Sequence, residues 1–437
     1  MHLVGVGGAG MSAYARAAHQ LGAEVSGSDG AAGPYLERLA ADGVLEAHVG
    51  HRAENVPVGE GVELFYSSAV AQDNVERRVA RERGIPERPR AELLGELSAM
   101  RRTIAVAGTH GKTTTASMIA HALRAAGMRP GWLVGAPIGG GLANAEWGEG
   151  EWLVVEADES DRSMLSLSVE VALLTNVELD HHATFASLAQ LEDAFRAFLA
   201  RARTAVVVWD RAQLRALAPA GDVELVGYDV PSPVLVPGGS RFDWRGHEVV
   251  LAVPGAHNAL DAAGALEVSR VAGAEEALAI AGLAGFGGAG RRFQLLGTGP
   301  GGARLFEDYA HHPSEIAATL RAARTLEHRR LVAVFQPHLY SRTALLAREF
   351  GEALALADAV VVLDVYPARE RAEDHPGVSG LVIARAGADA GAGRAVYWTP
   401  GFADAERVLR HLLAEGDVCV VMGAGDVDAL GHALVAS

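Results

Sequence analysis

At 437 residues the chain is too long for one ordinary domain and points to about two to four of them. Hydrophobic residues make up 49% and charged residues 21%, yet no apolar run approaches the roughly 20 residues of a membrane helix, so a soluble, membrane-free protein is expected. A formal net charge of −16 argues against a general nucleic-acid surface, and the one cysteine, Cys419, excludes an internal disulfide and suits a reducing cytoplasm.

In chain order, His2 to Val6 reads as an apolar strand rather than the start of a secretion signal. A Gly-rich turn follows, then a helix from about Ala9 to Leu21 and a strand at Glu24 to Ser28. Val62 to Tyr66 predicts a further strand, Asn74 to Arg83 a helix, and Arg90 to Met100 a helix leading into a linker. A second α/β segment opens with a strand at Thr103 to Ala107 and a helix at Thr113 to Ala126, followed by strands at Trp152 to Ala157, Val171 to Thr175 and Ala205 to Trp209. Val230 to Val253 predicts a small β insertion, and helical signal returns at His257 to Ala272. The glycine-rich stretch Gly282 to Gly290 marks a boundary and a hinge. Beyond it, strands at Arg304 to Asp308, Leu331 to Phe335, Ala359 to Val365 and Val418 to Met422 alternate with helices. The expectation is an α/β chain of three domains, 1–99, 100–291 and 292–437, each built on a mostly parallel sheet: Rossmann-like, P-loop-type and Rossmann-like again.

Three motifs carry chemistry. The turn Gly5-Val-Gly7-Gly8-Ala9-Gly10, with Asp29 at the end of the next strand, lets backbone approach a diphosphate at a helix N-terminus. A nicotinamide dinucleotide and another diphosphate fit it equally, and a plain tight turn is the bland alternative. The second motif is Gly108-Thr109-His110-Gly111-Lys112-Thr113-Thr114, placed between a strand and a helix. Its amides can cradle phosphates, Lys112 can reach the β and γ groups, and the Thr113 hydroxyl can ligate Mg²⁺. Of the 38 basic residues Lys112 is the one lysine; coding bias toward arginine explains the others, and a compact ammonium survives where a phosphate loop needs it. Third, the acids of Glu156-Ala-Asp158-Glu159-Ser160-Asp161 fall at a strand end, where Glu156 is the best single metal ligand and a solvated loop is the alternative. His181, after Asn176 and Asp180 at another strand end, can supply a nitrogen ligand or an orienting contact.

Together with His257-Asn258, Arg291-Arg292-Phe293, Asp308 to Pro313, Phe335 to His338, Ser341-Arg342-Thr343, Asp364 to Ala368 and Gly423 to Asp426, these motifs run in order along the whole chain. In that set the chain resembles the UDP-N-acetylmuramate:L-alanine ligases of the Mur ligase superfamily. The resemblance implies an ATP- and Mg²⁺-dependent cytoplasmic enzyme, monomeric or weakly dimeric. It would join L-alanine to the carboxylate of UDP-N-acetylmuramate through an acyl phosphate, in peptidoglycan precursor synthesis. It places Gly7, Gly8, Ala9, Gly10 and Met11 on the sugar-nucleotide diphosphate, with Asp29, Ser67 and Ser68 nearby. MgATP falls to Gly108 through Thr114, with Thr113, Glu156 and His181 on metal, His257 and Asn258 on the adenine side, and Arg292, Asp308 and His312 completing the nucleotide site. His338, Tyr340, Arg342 and Arg369 would face the alanine or the reacting carboxylate, with Lys112, His181, His338 and Arg342 as the catalytic set.

The chain departs from the family pattern in three places. Asp261 stands where many relatives carry Asn, Glu307 precedes Asp308 where an acid pair is usual, and no second lysine exists to be carbamylated as a metal ligand. Three rivals keep their place at this point: a nicotinamide-dependent dehydrogenase, a nucleotide-binding regulator without turnover, and a ligase that joins a murein tripeptide to the same sugar nucleotide.

Overall fold

In the computed structural model, residues 1–182 and 184–435 are described. The chain forms two compact units, one of residues 1–229 and 260–286, the other of residues 230–259 and 287–437.

The first unit contains two sheets. One is entirely parallel, in the order β3-β2-β1-β4-β5, from β1 (His2–Val4), β2 (Ser26–Asp29), β3 (Glu46–Val49), β4 (Leu64–Tyr66) and β5 (Glu87–Pro89). The chain leaves β1 at the point where the winding changes direction, so the glycine turn opens onto the crevice beside β4. The other sheet has the order β12-β11-β10-β6-β9-β7-β8. Its strands are β6 (Arg102–Ala107), β7 (Gly131–Leu133), β8 (Ala145–Glu146), β9 (Trp152–Glu156), β10 (Val171–Leu174), β11 (Ala205–Trp209) and β12 (Glu224–Tyr228). All pair in parallel except β8. Ile104 to Ala107 and Val171 to Leu174 are wholly buried, as expected of strands covered on both faces. The carboxyl ends of β6, β9 and β10 therefore lie side by side, each feeding one of the motifs.

In the second unit, β13 (Val234–Val236), β14 (Gly239–Trp244) and β15 (His247–Leu251) form the small antiparallel insertion that the Pro and Gly spacing predicts. The larger sheet runs β16-β17-β21-β18-β19-β20, from β16 (Gln294–Thr298), β17 (Arg304–Asp308), β18 (Leu331–Phe335), β19 (Ala359–Val362), β20 (Ala395–Trp398) and β21 (Val418–Met422). Only β16 is antiparallel. The three mostly parallel sheets match the expected architecture. The glycine-rich stretch is not loop throughout: a helix, Glu276–Ala284, takes in Gly282, whose Cα hydrogens face Ala125 with no room for a side chain. No helix among the described residues is long and apolar enough to cross a membrane.

Candidate active site

The phosphate loop leaves β6 through Gly108, at φ +135°, and enters the helix Lys112–Ala125 through Gly111, at φ +81°. Both conformations favour glycine, and space demands it too. A Cβ on Gly108 would lie 2.0 Å from Thr175 Oγ1, and one on Gly111 would lie 2.8 Å from Asp261 Oδ1. The loop is strapped to the exit of β10. The amide of His110 donates to Asn176 Oδ1 at 2.9 Å, the Thr175 hydroxyl donates to the His110 carbonyl at 2.6 Å, and the Thr109 hydroxyl donates to the Glu178 carbonyl at 2.9 Å. His110 Nε2 is 3.2 Å from Glu178 Oε2. Thr113 and Thr114 follow on the first helical turn, both buried.

Lys112 Nζ donates to the carbonyls of Gly108 (2.5 Å) and Thr109 (3.1 Å) and to Glu159 Oε1 (2.9 Å). Burial works against its charge, but Glu159, Glu156 and Asp158 outweigh that and raise its pKa. Glu156, at the end of β9, accepts from the Thr113 hydroxyl at 2.9 Å and from the Gly135 amide at 2.7 Å. A Cβ on Gly135 would fall 2.6 Å from that carboxylate, so glycine there makes room for it. His181 lies at φ +54°, with Nε2 3.2 Å from Glu159 Oε1. Asp158 and Asp161 both pair with Arg90, at 2.8 and 2.7 Å. Burial opposes ionisation of Asp158, yet Arg90 and Lys112 hold its pKa at about 2.

The four acids thus divide three duties: Asp158 and Asp161 share Arg90, Glu159 meets Lys112 and His181, and Glu156 meets Thr113. Glu156 and the Thr113 hydroxyl set two hard oxygens at the mouth of the loop, with the His181 nitrogen on neighbouring Glu159. This donor set fits a divalent cation beside a triphosphate.

The glycine turn of the first sheet is held from below. Gly7 N donates to Asp29 Oδ2 at 2.9 Å, and a Cβ on Gly7 would meet that oxygen at the same distance. Asp29 is therefore committed to the turn. Gly8 caps the helix Ala9–Gln20 without a side-chain cap, leaving the first amides of that helix, including Gly10, to an external acceptor. The Ala9 carbonyl accepts from Asn144 Nδ2 at 2.9 Å. The Met11 side chain is 2% exposed in the core, so only its backbone faces the turn. Ser67 lies under Gly5, and Ser68 is exposed.

The second unit gathers its residues at the carboxyl ends of β17, β18, β19 and β21. Asp308 accepts from the amides of Phe293 (2.8 Å) and Ala310 (2.7 Å); burial raises its pKa to about 6 against the pull of Arg292. Arg292 lies over the Tyr309 ring at 5.2 Å and 3.8 Å from Glu315. His312 caps the helix Pro313–Ala323, its Nδ1 accepting from Ser314 N, while Glu315 accepts from the His312 amide. His338 stacks on Tyr366 with centroids 5.7 Å apart, and Arg342 Nη1 approaches His338 Nδ1 at 3.5 Å. Tyr340 stacks on His375 at 5.8 Å. Arg369 is exposed, as is His257, while Asn258 Nδ2 donates to the Pro254 carbonyl at 2.7 Å.

Three residues escaped the motif reading. Arg90 and Gly135 act on the acid segment from distant stretches of chain, and nothing in sequence spacing marks them. Glu159 stood inside the acid run, but proximity to the strand end favoured Glu156.

The chain matches three family models: Mur ligase family, catalytic domain, over residues 1–102; Mur ligase middle domain over 106–268; and Mur ligase, glutamate ligase domain, over 291–425. The chain belongs to the Mur ligase family, and it is an ATP-dependent ligase. The UDP-N-acetylmuramate--L-alanine ligase of Rubrobacter xylanophilus is 43% identical to it, over 100% of this chain and 99% of that protein. The crystal structure of the UDP-N-acetylmuramate-alanine ligase of Thermotoga maritima superposes with a TM-score of 0.84 at 27% identity, covering 100% of this chain and 98% of that one. A murein peptide ligase from Psychrobacter arcticus, 22% identical with a TM-score of 0.73 over 100% of this chain and 98% of its own, shares the fold.

Proposed function

We propose that the protein joins L-alanine to the carboxylate of UDP-N-acetylmuramate with consumption of ATP, in the cytoplasm, as a step of peptidoglycan precursor synthesis. Full-length similarity to relatives of that name supports the reading. The observation that carries it is the phosphate loop, with its one lysine and its acid and hydroxyl at the mouth.

A carboxylate is a poor acyl donor, so the sugar acid is first phosphorylated by the terminal phosphate, and the amine then displaces phosphate from the acyl phosphate. Lys112 and the amides of Gly111, Thr113 and Thr114 offset the charge gathering on the phosphates, while Gly108, Thr109 and His110 shape the loop, the amides of Thr109 and His110 being held by Asn176. Thr113, Glu156 and His181 would hold Mg²⁺, which when bound supplies Lewis-acid neutralisation of that charge. The helix amides at Gly8, Ala9, Gly10 and Met11, with Gly7, Ser67 and Ser68, take the sugar nucleotide, and Asp29 keeps their turn in shape. For His257, Asn258, Arg292, Asp308 and His312 the family resemblance supports nucleotide roles. His338 accepts the proton that alanine's ammonium must lose once the long Arg342 contact to its ring gives way and Arg342 turns to the reacting carboxylate, while Tyr340 and Arg369 flank the amino acid. We take the domain limits as 1–99, 100–291 and 292–437 and the protein as a monomer or weak dimer.

The test is ADP release and amide formation from UDP-N-acetylmuramate, ATP and each amino acid in turn, with a murein tripeptide as competitor. Amide product with L-alanine, lost by about a thousandfold or more in a folded Lys112→Met variant, is expected. Preference for the tripeptide, or undiminished synthesis without Lys112, would overturn the reading.

A further inference from the structure

Glu159 has a place that the proposed roles leave unused. Its neighbours Asp158 and Asp161 are drawn together by the Arg90 guanidinium, which pins the segment between them. The Glu159 side chain is 1% exposed. One oxygen, Oε1, meets both Lys112 Nζ at 2.9 Å and His181 Nε2 at 3.2 Å. The other, Oε2, is buried and finds no hydrogen-bond donor among the described residues. Such an orphaned carboxylate oxygen is costly and asks for an explanation in a ligand. Lys112, for its part, curls back: among the described residues the three acceptors of its ammonium are Glu159 and two carbonyls of its own loop. An ammonium engaged in this way cannot also grip a phosphate at full strength.

We propose that Glu159 is a positioning residue that holds Lys112 against the phosphate loop until a divalent cation shares its carboxylate through Oε2, which frees the lysine for the β and γ phosphates. The inference rests on the ATP-dependent ligase reading above and gives the loop's metal requirement a physical origin. The cation is a hard divalent ion, because Oε2 is a carboxylate oxygen, and the Glu156 carboxylate and Thr113 hydroxyl that meet at the mouth of the same loop are hard donors too. Removing the Glu159 charge should release the lysine without metal.

The experiment measures ADP affinity calorimetrically on the full chain, in chelator and in Mg²⁺. Glu159→Gln keeps the side-chain shape; it should tighten metal-free ADP binding by about tenfold and shrink the Mg²⁺-dependent gain by about tenfold or more. Glu159→Asp, which keeps the charge, should retain most of that gain. In a Lys112→Met background Glu159→Gln should no longer tighten metal-free binding, because the partner through which it acts is gone. The idea is overturned if Glu159→Gln leaves both quantities within about twofold of the parent, or if its effect survives unchanged in the Lys112→Met background. Should the glutamine variant fail to fold, the parent serves: Mg²⁺ alone should accelerate acylation of Lys112 by a small amine-reactive ester, and an unchanged rate refutes the latch. None of these readouts needs amide product, so a failed ligase assay leaves them interpretable.

Discussion

Replacing Glu76 with glutamine should loosen the first sheet at neutral pH and leave it unaffected in acid. Glu76 is wholly buried behind β1 and β2 and serves as their shared acceptor. One oxygen takes the Ser28 hydroxyl and lies 3.3 Å from His2 Nε2, while the other accepts from the Arg52 amide at 3.0 Å and from Asn55 Nδ2. Burial alone would raise its pKa, but the bonds from His2, Ser28, Asn55 and Arg52 outweigh it and bring the group from 4.5 down to about 2. At about 1.4 kcal/mol per pH unit, that preference for the ionised form is worth about 3 kcal/mol. Because the folded-state pKa is depressed, the stabilisation is complete above pH 4.5 and is lost as pH falls toward about 2. Hydrogen exchange read by mass spectrometry on peptides spanning β1, β2 and the helix Val75–Glu82 gives the local opening energy. In Glu76→Gln these peptides should exchange about a hundredfold faster than in the parent at pH 7, and the gap should close substantially by pH 3. Equal exchange at pH 7, or a gap of the same size at pH 3, would refute the assignment.

Gly108→Ala should weaken ADP binding by about a hundredfold or more and lower the thermal midpoint, since its methyl meets Thr175 Oγ1 and its φ is +135°. Adding Thr175→Ala should restore only part of the affinity, because the backbone strain remains; full restoration would assign the whole defect to the clash. Asp308 has the opposite sign to Glu76. Its pKa is raised from 3.8 to about 6, so its contribution is complete below pH 3.8 and is lost as pH rises through 6. Calorimetry of Asp308→Asn should therefore show the variant gaining on the parent by up to about 3 kcal/mol between pH 4 and pH 7, and parallel profiles would contradict the pKa.

Much of the sheet architecture was legible because parallel strands buried on both faces leave uninterrupted runs. Arg304 to Asp308, Leu331 to Phe335 and Val418 to Met422 coincide with β17, β18 and β21. Edge strands such as β3, β16 and β20 escaped, since Glu46 to Val49, Gln294 to Thr298 and Ala395 to Trp398 are half polar or partly exposed and carry no such run. Lys112, Thr113 and Glu156 were legible from position relative to a strand end, and they do converge. The capping duty of His312 and the commitment of Asp29 to Gly7 were not, because both depend on what the backbone does around them. The pairing of Arg90 with Asp158 and Asp161 links segments about 70 residues apart, which no local pattern encodes.

A chain with one lysine has one place where side-chain amine chemistry can occur. Apart from the α-amino group, every adduct that an amine-directed probe adds to the intact protein reports on the phosphate loop. Its occupancy can then be followed by whole-protein mass alone, with no digestion, no engineered label and no substituted background.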